Sequence, residues 1–395
     1  MKRSTLFVLC LVCFLPLACE DAVMDVDPPI DSIEDSRLDS ETQIPFLVTG
    51  LQARFASVYG RLSVFAGGLS DELVFDRTVP GATYPSYGEL ESGDIALGNT
   101  STGNAMLLLA ELRLMADTLI TRVDRITFAD ESSKSYALHN AYLYGAIARY
   151  FWAAYWGLEE DQGGGVINAG PFIPSAVLYS DAIDQLALAM QFAPTPYDAK
   201  VASSLLARIH LQEGRYADAS AAAAAGLSDG DDSFSALFST EVANFWHFAA
   251  GSGRTQFVAD DRYVGYITDD PVEASRVPLT QVTAERYRQN RYPVSESPLP
   301  LLVWQEMALI RAEVALRDGQ GQTALDLVNS VRQSHGLADL AAITLETLFV
   351  EREKELFCMG IRLLDQRRLG VWHLPDGTWK FLPISQRERD SNPNL

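Results

Sequence analysis

The sequence lacks the residue patterns that mark the common classes of enzyme and metal site. Its five His residues form no HExxH spacing, and the chain beyond residue 19 contains no CxxC pair. It has neither a GxSxG element nor a Walker A loop. From these absences we predict no catalytic residues, no metal and no cofactor. One enzyme class stays open, because a chain with 52 acidic residues always offers carboxylate pairs such as glycoside hydrolases use.

Two short stretches imitate known ligand loops, and neither fits its pattern. GQGQTA at residues 319–324 matches part of a dinucleotide fingerprint, but it follows a predicted helix where that fingerprint requires a strand. We interpret it as a turn between two helices. DGDDS at residues 229–233 resembles the start of a calcium loop, but Phe234 stands where that loop needs Gly. We interpret it as an acidic surface turn.

Cysteine and long apolar runs are also scarce once the first residues are set aside. A basic start and an apolar run at residues 6–17 are typical of a signal peptide, and the run is too short to span a membrane. The run contains Cys10 and Cys13, so removal of the signal peptide leaves only Cys19 and Cys358. If Cys19 carries lipid, no disulfide framework is available. We predict that Cys358, in an apolar context, is a small buried side chain.

The sequence PLAC at residues 16–19 resembles a bacterial lipoprotein box, in which the cysteine thiol receives lipid and becomes the mature N-terminus. Pro16 stands where that box usually has Leu. We predict a lipoprotein signal peptide at residues 1–18 and lipidation at Cys19. The alternative is ordinary signal cleavage near residue 18.

Acidic residues dominate the next segment and the whole chain. Residues 19–44 are rich in Asp and Glu and contain Pro28 and Pro29, and they bury too little apolar surface to fold alone. We predict a flexible tether there. The formal net charge of −21 disfavours contact with phosphate backbones, so we expect no nucleic-acid partner.

From residue 45 to the end, apolar residues recur mostly every three or four positions, which is the helical period. The pattern predicts one all-α domain over residues 45–395. The strongest candidate helices are 45–66, 104–125, 134–156, 179–193, 197–213, 216–227, 301–317, 322–334 and 345–369. Stretches 179–194, 196–227 and 303–337 have the Ala spacing and turn residues of tetratricopeptide-like helix pairs. They are imperfect and separated, so we predict a few pairs within one domain.

Two long segments interrupt the helical pattern, at residues 67–103 and 228–300. Loops of this length in a compact domain are usually functional or disordered. Both contain more aromatic residues than disordered segments usually have. We therefore expect them to bind a ligand.

The stretch EREKELFCMGIRLLDQRRLG at residues 351–370 is densely charged, and Arg352 lies on or beside its apolar stripe. A guanidinium there needs partners, and Glu351 and Glu355 are the nearest candidates. Opposite signs alternate, whereas a catalytic site usually brings like charges together. We interpret the stretch as a structural ion-pair network that extends to Arg362, Asp365, Arg367 and Arg368.

Several motifs in this order resemble the SusD/RagB family of outer-membrane nutrient-uptake lipoproteins. They are AYLYGAIARYFWAAYWG at residues 141–157, ALDLVNSVRQSHGL at 324–337, the charged stretch extended to Trp372, and the closing FLPISQRERDSNPNL at 381–395. With the lipoprotein box and the helix pairs, the resemblance covers nearly the full length. It implies a SusD-like helical domain built around tetratricopeptide-like pairs with long loop insertions.

The resemblance also implies a function at the cell surface. A lipid-anchored protein of this kind captures an extracellular glycan or peptide and delivers it to a SusC-like TonB-dependent β-barrel transporter of the outer membrane. Sugar binding needs flat aromatic faces and polar side chains. Our candidates for these roles come from the two long segments: Asp71, Arg77, Tyr84, Tyr87, Asn99, Trp246 and Tyr263. Two alternatives stay open, a periplasmic tetratricopeptide scaffold that binds proteins and an unrecognised surface glycoside hydrolase.

Overall fold

The computed structural model describes residues 35–395, which fold into packed helices with small sheets between them. The predicted signal peptide, the lipidation site Cys19 and the first part of the tether lie outside these residues. Residues 35–43, which we assigned to the tether, contain two short 3-10 helices, Asp35–Leu38 and Glu41–Gln43. Arg122 pairs with Asp35 and Asp39 there, so this end of the tether packs on the domain.

The α-helices of the described residues include all nine predicted ones, with 345–369 divided into two, and four short helices that were not predicted, at residues 86–92, 245–249, 261–269 and 386–391. They are α1 Ile44–Leu69, α2 Ser86–Ser92, α3 Thr100–Val123, α4 Glu131–Tyr155, α5 Ser175–Gln191, α6 Pro196–Gln212, α7 Tyr216–Ala225, α8 Phe245–Ala249, α9 Asp261–Asp269, α10 Trp304–Arg317, α11 Gly321–Ser334, α12 Leu345–Glu355, α13 Arg362–Leu369 and α14 Gln386–Ser391. The prediction of a helical fold class is confirmed.

The strands are short and form small sheets. They are β1 Leu73–Phe75, β2 Trp156–Glu159, β3 Gln162–Val166, β4 Phe172–Pro174, β5 Phe234–Ala236, β6 Phe257–Ala259, β7 Leu279–Thr283, β8 Arg286–Gln289, β9 Leu299–Leu302 and β10 Leu382–Pro383. β1 pairs with β6, β5 with β9 and β7 with β8, all antiparallel. A fourth sheet has the order β10–β2–β3–β4, with β10 parallel to β2.

Helix α1 lies at the centre of the core. It is apolar on most of its circumference, and it packs against α3, α4 and α8. The helix pairs that the sequence predicts lie together beside it: α5, α6 and α7 pack in series, and α7 and α11 both pack on α10. GQGQTA begins in the predicted turn between α10 and α11, and from Gly321 onward it forms the first turn of α11.

Local signals explain where several helices begin. Thr195 and Asp198 form a reciprocal capping box at the start of α6, and Pro196 occupies its first turn. Asp130 caps α4 through the backbone N–H of Ser132. No helix in residues 35–395 combines the length and apolar character needed to cross a membrane.

The predicted helix at residues 345–369 is two helices. α12 ends at Glu355 and α13 begins at Arg362, and between them Cys358 and Gly360 have φ of 61° and 71°. A side chain at Gly360 would bring its Cβ within 2.8 Å of the Ser63 Cα. The break therefore lets this segment pass directly over α1. Cys358 is fully buried, as predicted.

The charges of this segment form a structural network, but the predicted partners of Arg352 were wrong. Its Nε donates to Asp365 Oδ2 at 2.7 Å, and its Nη2 donates to Glu306 Oε1 at 3.4 Å. Glu351 instead pairs with Arg276 and Arg332, and Glu355 contacts the imidazole of His335, all from other elements. Helical periodicity predicts that Arg352 is buried. It cannot predict the partners of Arg352, because Asp365 and Glu306 lie on other helices.

Candidate ligand-binding groove

The turn after β1 is fixed by a small polar cluster. Asp76 Oδ1 accepts from the backbone N–H and the hydroxyl of Thr78, at 2.9 and 2.7 Å. Arg286, on β8, donates to Asp76 Oδ2 at 2.7 Å and to Thr78 Oγ1 at 2.6 Å. Burial would raise the pKa of Asp76, but these Thr78 and Arg286 contacts outweigh it and lower that pKa. The ionised carboxylate of Asp76 thus attaches the turn to the β7–β8 hairpin.

The chain then leads into the short helix α2. The Thr83 backbone N–H donates to the buried Gln256 Oε1 at 2.6 Å, just before Tyr84. α2 ends at Gly93, whose φ of 69° is the left-handed C-cap conformation that glycine favours. Both ends of the segment that carries Tyr84 are therefore anchored.

Tyr84 and Arg77 line one surface groove, as two of the seven predicted ligand residues. We call it the Tyr84 groove; its volume is about 370 Å³, and it is lined by Arg77, Tyr84, Gly88, Glu89, Ser92 and Asp94. Tyr84 is 70% exposed. Its ring lies over Gly88, since a Cβ at Gly88 would come within 3.3 Å of Tyr84 Cε2. The absence of a side chain there lets the ring rest on α2.

Charged and hydroxyl side chains stand around this ring. Arg77 forms an exposed ion pair of 2.8 Å with Glu91, and its guanidinium lies 5.8 Å from the Phe75 ring centroid. Ser92 and Asp94 are exposed and also line the groove. A flat ring flanked by guanidinium, carboxylate and hydroxyl groups supplies the stacking surface and the hydrogen-bonding groups that a sugar ring uses.

Asn99 is close to the groove but is committed to the fold. Its Oδ1 accepts from the backbone N–H groups of Ser101 and Thr102, at 3.0 and 3.2 Å, which caps α3. Its Nδ2 donates to Ser86 O at 3.0 Å and to Glu89 Oε2 at 2.7 Å. An amide has two acceptor sites and two donors, so all four are used. The predicted ligand role of Asn99 is corrected to capping α3 and holding Glu89 in place.

Asp71 is also corrected, from ligand residue to ion-pair anchor. Arg362 donates to it through Nε at 2.6 Å and Nη2 at 2.7 Å, and Arg262 donates through Nη1 at 3.0 Å. Burial would raise the pKa of Asp71, but the Arg362 and Arg262 contacts outweigh it and lower that pKa to about 2. Its carboxylate therefore joins the chain before β1 to α9 and α13.

Three predicted aromatic ligand residues belong to the core, so those predictions are wrong. Trp246 is fully buried, and its Nε1 donates to Ser63 Oγ at 2.8 Å. Tyr263 is fully buried, with its ring centroid 4.5 Å from that of Phe357. Neither ring has a face free for a ligand. The segment at 228–300 folds back on α1 and the α12–α13 break, and its rings fill that contact.

Tyr87 is the third. It faces inward from α2, and its ring stacks on that of Phe257 at 5.1 Å. Burial raises the pKa of its hydroxyl to about 12. Tyr84 stands before α2, ahead of the N-cap Pro85, whereas Tyr87 lies within the helix. Helical spacing therefore does not bring the two rings to one face, and Tyr84 is exposed where Tyr87 is buried.

Sequence reasoning missed Glu89, Ser92 and Asp94. The signal was present in YGELESGD at residues 87–94, where Glu89 and Ser92 are three apart and so share a helix face. We read that stretch as loop, and without helical spacing its acidic residues cannot be assigned to a side. In residues 35–395, no group of His, Cys, Asp and Glu has an arrangement suited to a metal ion.

A larger cavity, of about 560 Å³, lies between α3, the turn at 167–170 and α14. Its walls combine polar and charged side chains with aliphatic ones, of which Leu107 and Leu114 are exposed along α3. Its one ring belongs to Trp152, which is buried. It offers no exposed aromatic face, so we place the candidate site at the Tyr84 groove.

Comparison with solved structures identifies the fold. A putative sugar-binding protein from Bacteroides vulgatus superposes with a TM-score of 0.74 at 18% sequence identity, over 89% of this chain and 97% of its own. A laminarin-binding SusD-like protein superposes with a TM-score of 0.72 at 15% identity, over 90% and 99%. Surface glycan-binding protein A from Bacteroides uniformis superposes with a TM-score of 0.67 at 17% identity, over 88% and 98%.

The sequence matches no family profile and no curated protein at a significant level. The structural similarity nevertheless extends over nearly the full length of each of these structures. The chain therefore has the SusD-like fold, which the order of its sequence motifs predicted.

Proposed function

We propose that this protein is a cell-surface lipoprotein that binds extracellular glycan in the Tyr84 groove. One observation carries the proposal: an exposed aromatic ring, bordered by Arg77, Glu89 and Asp94, lies in a groove on a SusD-like fold. The fold neighbours include a laminarin-binding SusD-like protein and a surface glycan-binding protein. The groove and the neighbours point to the same ligand class.

Each lining group has a role in this proposal. The Tyr84 ring stacks on the apolar face of a sugar ring. Arg77 donates hydrogen bonds to sugar oxygens, and Asp94 and Glu89 accept from hydroxyl groups. Glu89 is held in position because Asn99 and the Ala96 backbone N–H both donate to its Oε2. No group is asked to form or break a covalent bond, so the proposal is capture without catalysis.

We further propose that Cys19 carries lipid and anchors the protein in the outer membrane, facing outward. Captured glycan then passes to a SusC-like TonB-dependent transporter. The support for this part is the signal peptide, the lipoprotein box and the acidic tether. Co-purification of a TonB-dependent barrel with the native protein from detergent-solubilised outer membranes tests the partnership, and its consistent absence would contradict it.

The ligand class is tested by incubating the pure protein with laminarin, soluble starch, xylan, polygalacturonate and a mixture of peptides. We expect retention on at least one polysaccharide and no change in the size distribution of its chains. Shortened chains would identify a hydrolase. Retention of peptides alone would move the ligand class from glycan to peptide, and retention of nothing would favour a protein-binding scaffold.

A further inference from the structure

A second groove lies on the opposite half of α1 from the Tyr84 groove. We call it the Tyr197 groove; its volume is about 440 Å³, and its walls include Gln52, Phe55, Tyr144, Tyr197, Asp232 and Phe234. These residues come from α1, α4, α6 and the chain around β5. Phe55 lies in this groove, whereas Phe65, ten residues along α1, packs against Tyr87 beneath the Tyr84 groove. At a rise of 1.5 Å per residue, the two places are about 15 Å apart along the helix.

The floor of the Tyr197 groove is a cluster of aromatic rings. The rings of Phe55 and Phe234 are stacked, with centroids 5.9 Å apart and planes 23° apart. The ring centroid of Tyr144 lies 5.4 Å from that of Phe55 and 6.4 Å from that of Phe234. Phe55 and Tyr144 are buried, whereas Phe234 and Tyr197 are half-buried. The cluster is therefore held by the core and still presents part of its ring surface to the groove.

The rim combines polar and acidic groups with one exposed aliphatic side chain, Leu237. Gln52, Asp232 and Ser233 are exposed there. In the DGDDS turn the two adjacent acids differ: Asp231 is bound by Lys200 at 2.7 Å and by Ser228. Asp232 lines the groove, and no described residue donates to its carboxylate within hydrogen-bonding distance. The turn thus uses one carboxylate to hold its shape and directs the next one at the groove.

The charges select the kind of ligand. All residues that line the groove are described, and none of them is Lys or Arg. Burial raises the pKa of the Tyr197 hydroxyl, and the nearby Asp232 adds to this, so the hydroxyl keeps its proton. The groove therefore offers aromatic surface, an amide, hydroxyls and an unpaired carboxylate. That set suits a neutral polyhydroxylated ring and repels an anionic one.

We propose that the Tyr197 groove is a second binding site, specific for neutral glycan. The inference rests on the proposed function in that it assigns the same ligand class, but it concerns different residues. A polysaccharide that occupies both grooves on one molecule binds more tightly than at either groove alone, because the second contact is intramolecular.

The test uses two variants with matched controls and follows retention of laminarin, soluble starch and xylan. Tyr197→Ala removes a half-buried ring from the first turn of α6, and Tyr216→Ala removes one from the first turn of α7, outside both grooves. Asp232→Ala and Asp229→Ala each remove an exposed carboxylate from the same turn, and only Asp232 lines the groove. We expect about tenfold weaker retention for Tyr197→Ala and for Asp232→Ala, with both controls unchanged. Asp232→Ala removes only an exposed side chain, so it tests the groove even if Tyr197→Ala loses stability.

The outcomes separate the two proposals. If only Tyr84→Ala weakens retention, the second site is overturned and the Tyr84 groove stands. If only the Tyr197 groove variants weaken it, the second site is supported and the Tyr84 groove is overturned. Equal losses in variants and controls, or no retention of any neutral glycan, overturn the second site. Retention of polygalacturonate that is lost in Tyr197→Ala or Asp232→Ala would overturn the specificity of the Tyr197 groove for neutral chains.

Discussion

Arg352 and Asp365 form a buried ion pair across the break between α12 and α13, with Nε and Oδ2 2.7 Å apart. Arg368 also contacts Asp365, at 3.0 Å. Burial would raise the pKa of Asp365, but Arg352 and Arg368 outweigh it and keep that pKa below its usual range. This pair fixes the two helices relative to each other, which holds the segment containing Cys358 against α1.

Arg352→Ala is expected to lower the free energy of unfolding by about 3–5 kcal/mol, because it leaves Glu306 and Asp365 with less compensation in the core. Thermal unfolding followed by circular dichroism measures this. The control is Arg215→Ala, which removes a half-exposed pair with Asp218 and should cost about 1 kcal/mol or less. A mutant with full stability and lost glycan binding would contradict the structural role of this network.

Glu72 makes stability depend on pH. Its Oε1 accepts from the Cys358 backbone N–H at 2.9 Å, and burial raises its pKa to about 7. Because this folded pKa lies above the unfolded value, the folded state binds more protons between about pH 4.5 and pH 7. Stability from this group therefore falls as pH rises through that window, by a total on the order of 3 kcal/mol.

Glu72→Gln keeps an acceptor for the Cys358 N–H and removes the titration. We expect the melting temperature of the variant, relative to wild type, to rise between about pH 5 and pH 8. Melts of both proteins across that range measure the difference. A difference that stays constant with pH would contradict the titration of Glu72 in the folded protein.

Gly88→Ala tests the position of the Tyr84 ring. The added Cβ would come within 3.3 and 3.4 Å of two ring carbons, so the ring must move away from α2. We expect weaker glycan retention with little change in melting temperature. Gly98→Ala is the control, because a Cβ there meets no atom within 4 Å. Equal retention by both variants would indicate that the ring position does not matter for binding.

Cys19→Ser tests the membrane anchor. Without the thiol that receives lipid, the protein should appear in the soluble fraction or accumulate with its signal peptide uncleaved. Fractionation without detergent, followed by immunoblotting and mass measurement of the N-terminal peptide, distinguishes these results. Unchanged membrane association and no lipid mass on the wild-type peptide would contradict lipidation.

Helix positions were predictable because apolar periodicity depends on neighbours in sequence. α6 and α11 begin within one residue of their predicted starts. The break at residues 356–361 was not predictable in the same way. It depends on Gly360 packing on Ser63, a contact between positions almost 300 residues apart that leaves no local pattern.

The burial of the aromatic residues was not predictable from local sequence either. Trp246 and Tyr84 both stand in segments without strong periodicity, and the sequence gives no means of telling a core ring from an exposed one. Trp246 is buried because its N–H meets Ser63 of α1, whereas Tyr84 is exposed because its ring lies on Gly88. The candidate site was therefore predicted as a segment, and two of the seven predicted ligand residues, Arg77 and Tyr84, line the groove.

The binding of wild type and Tyr84→Ala to a retained polysaccharide tests the central proposal most directly. An anchoring ring contributes about 2 kcal/mol, so the dissociation constant of Tyr84→Ala should rise about thirtyfold while its melting temperature stays within a few degrees of wild type. Phe46→Ala, which removes a ring that is 59% exposed outside the groove, should bind like wild type. Binding of Tyr84→Ala at wild-type affinity would contradict glycan capture in the Tyr84 groove.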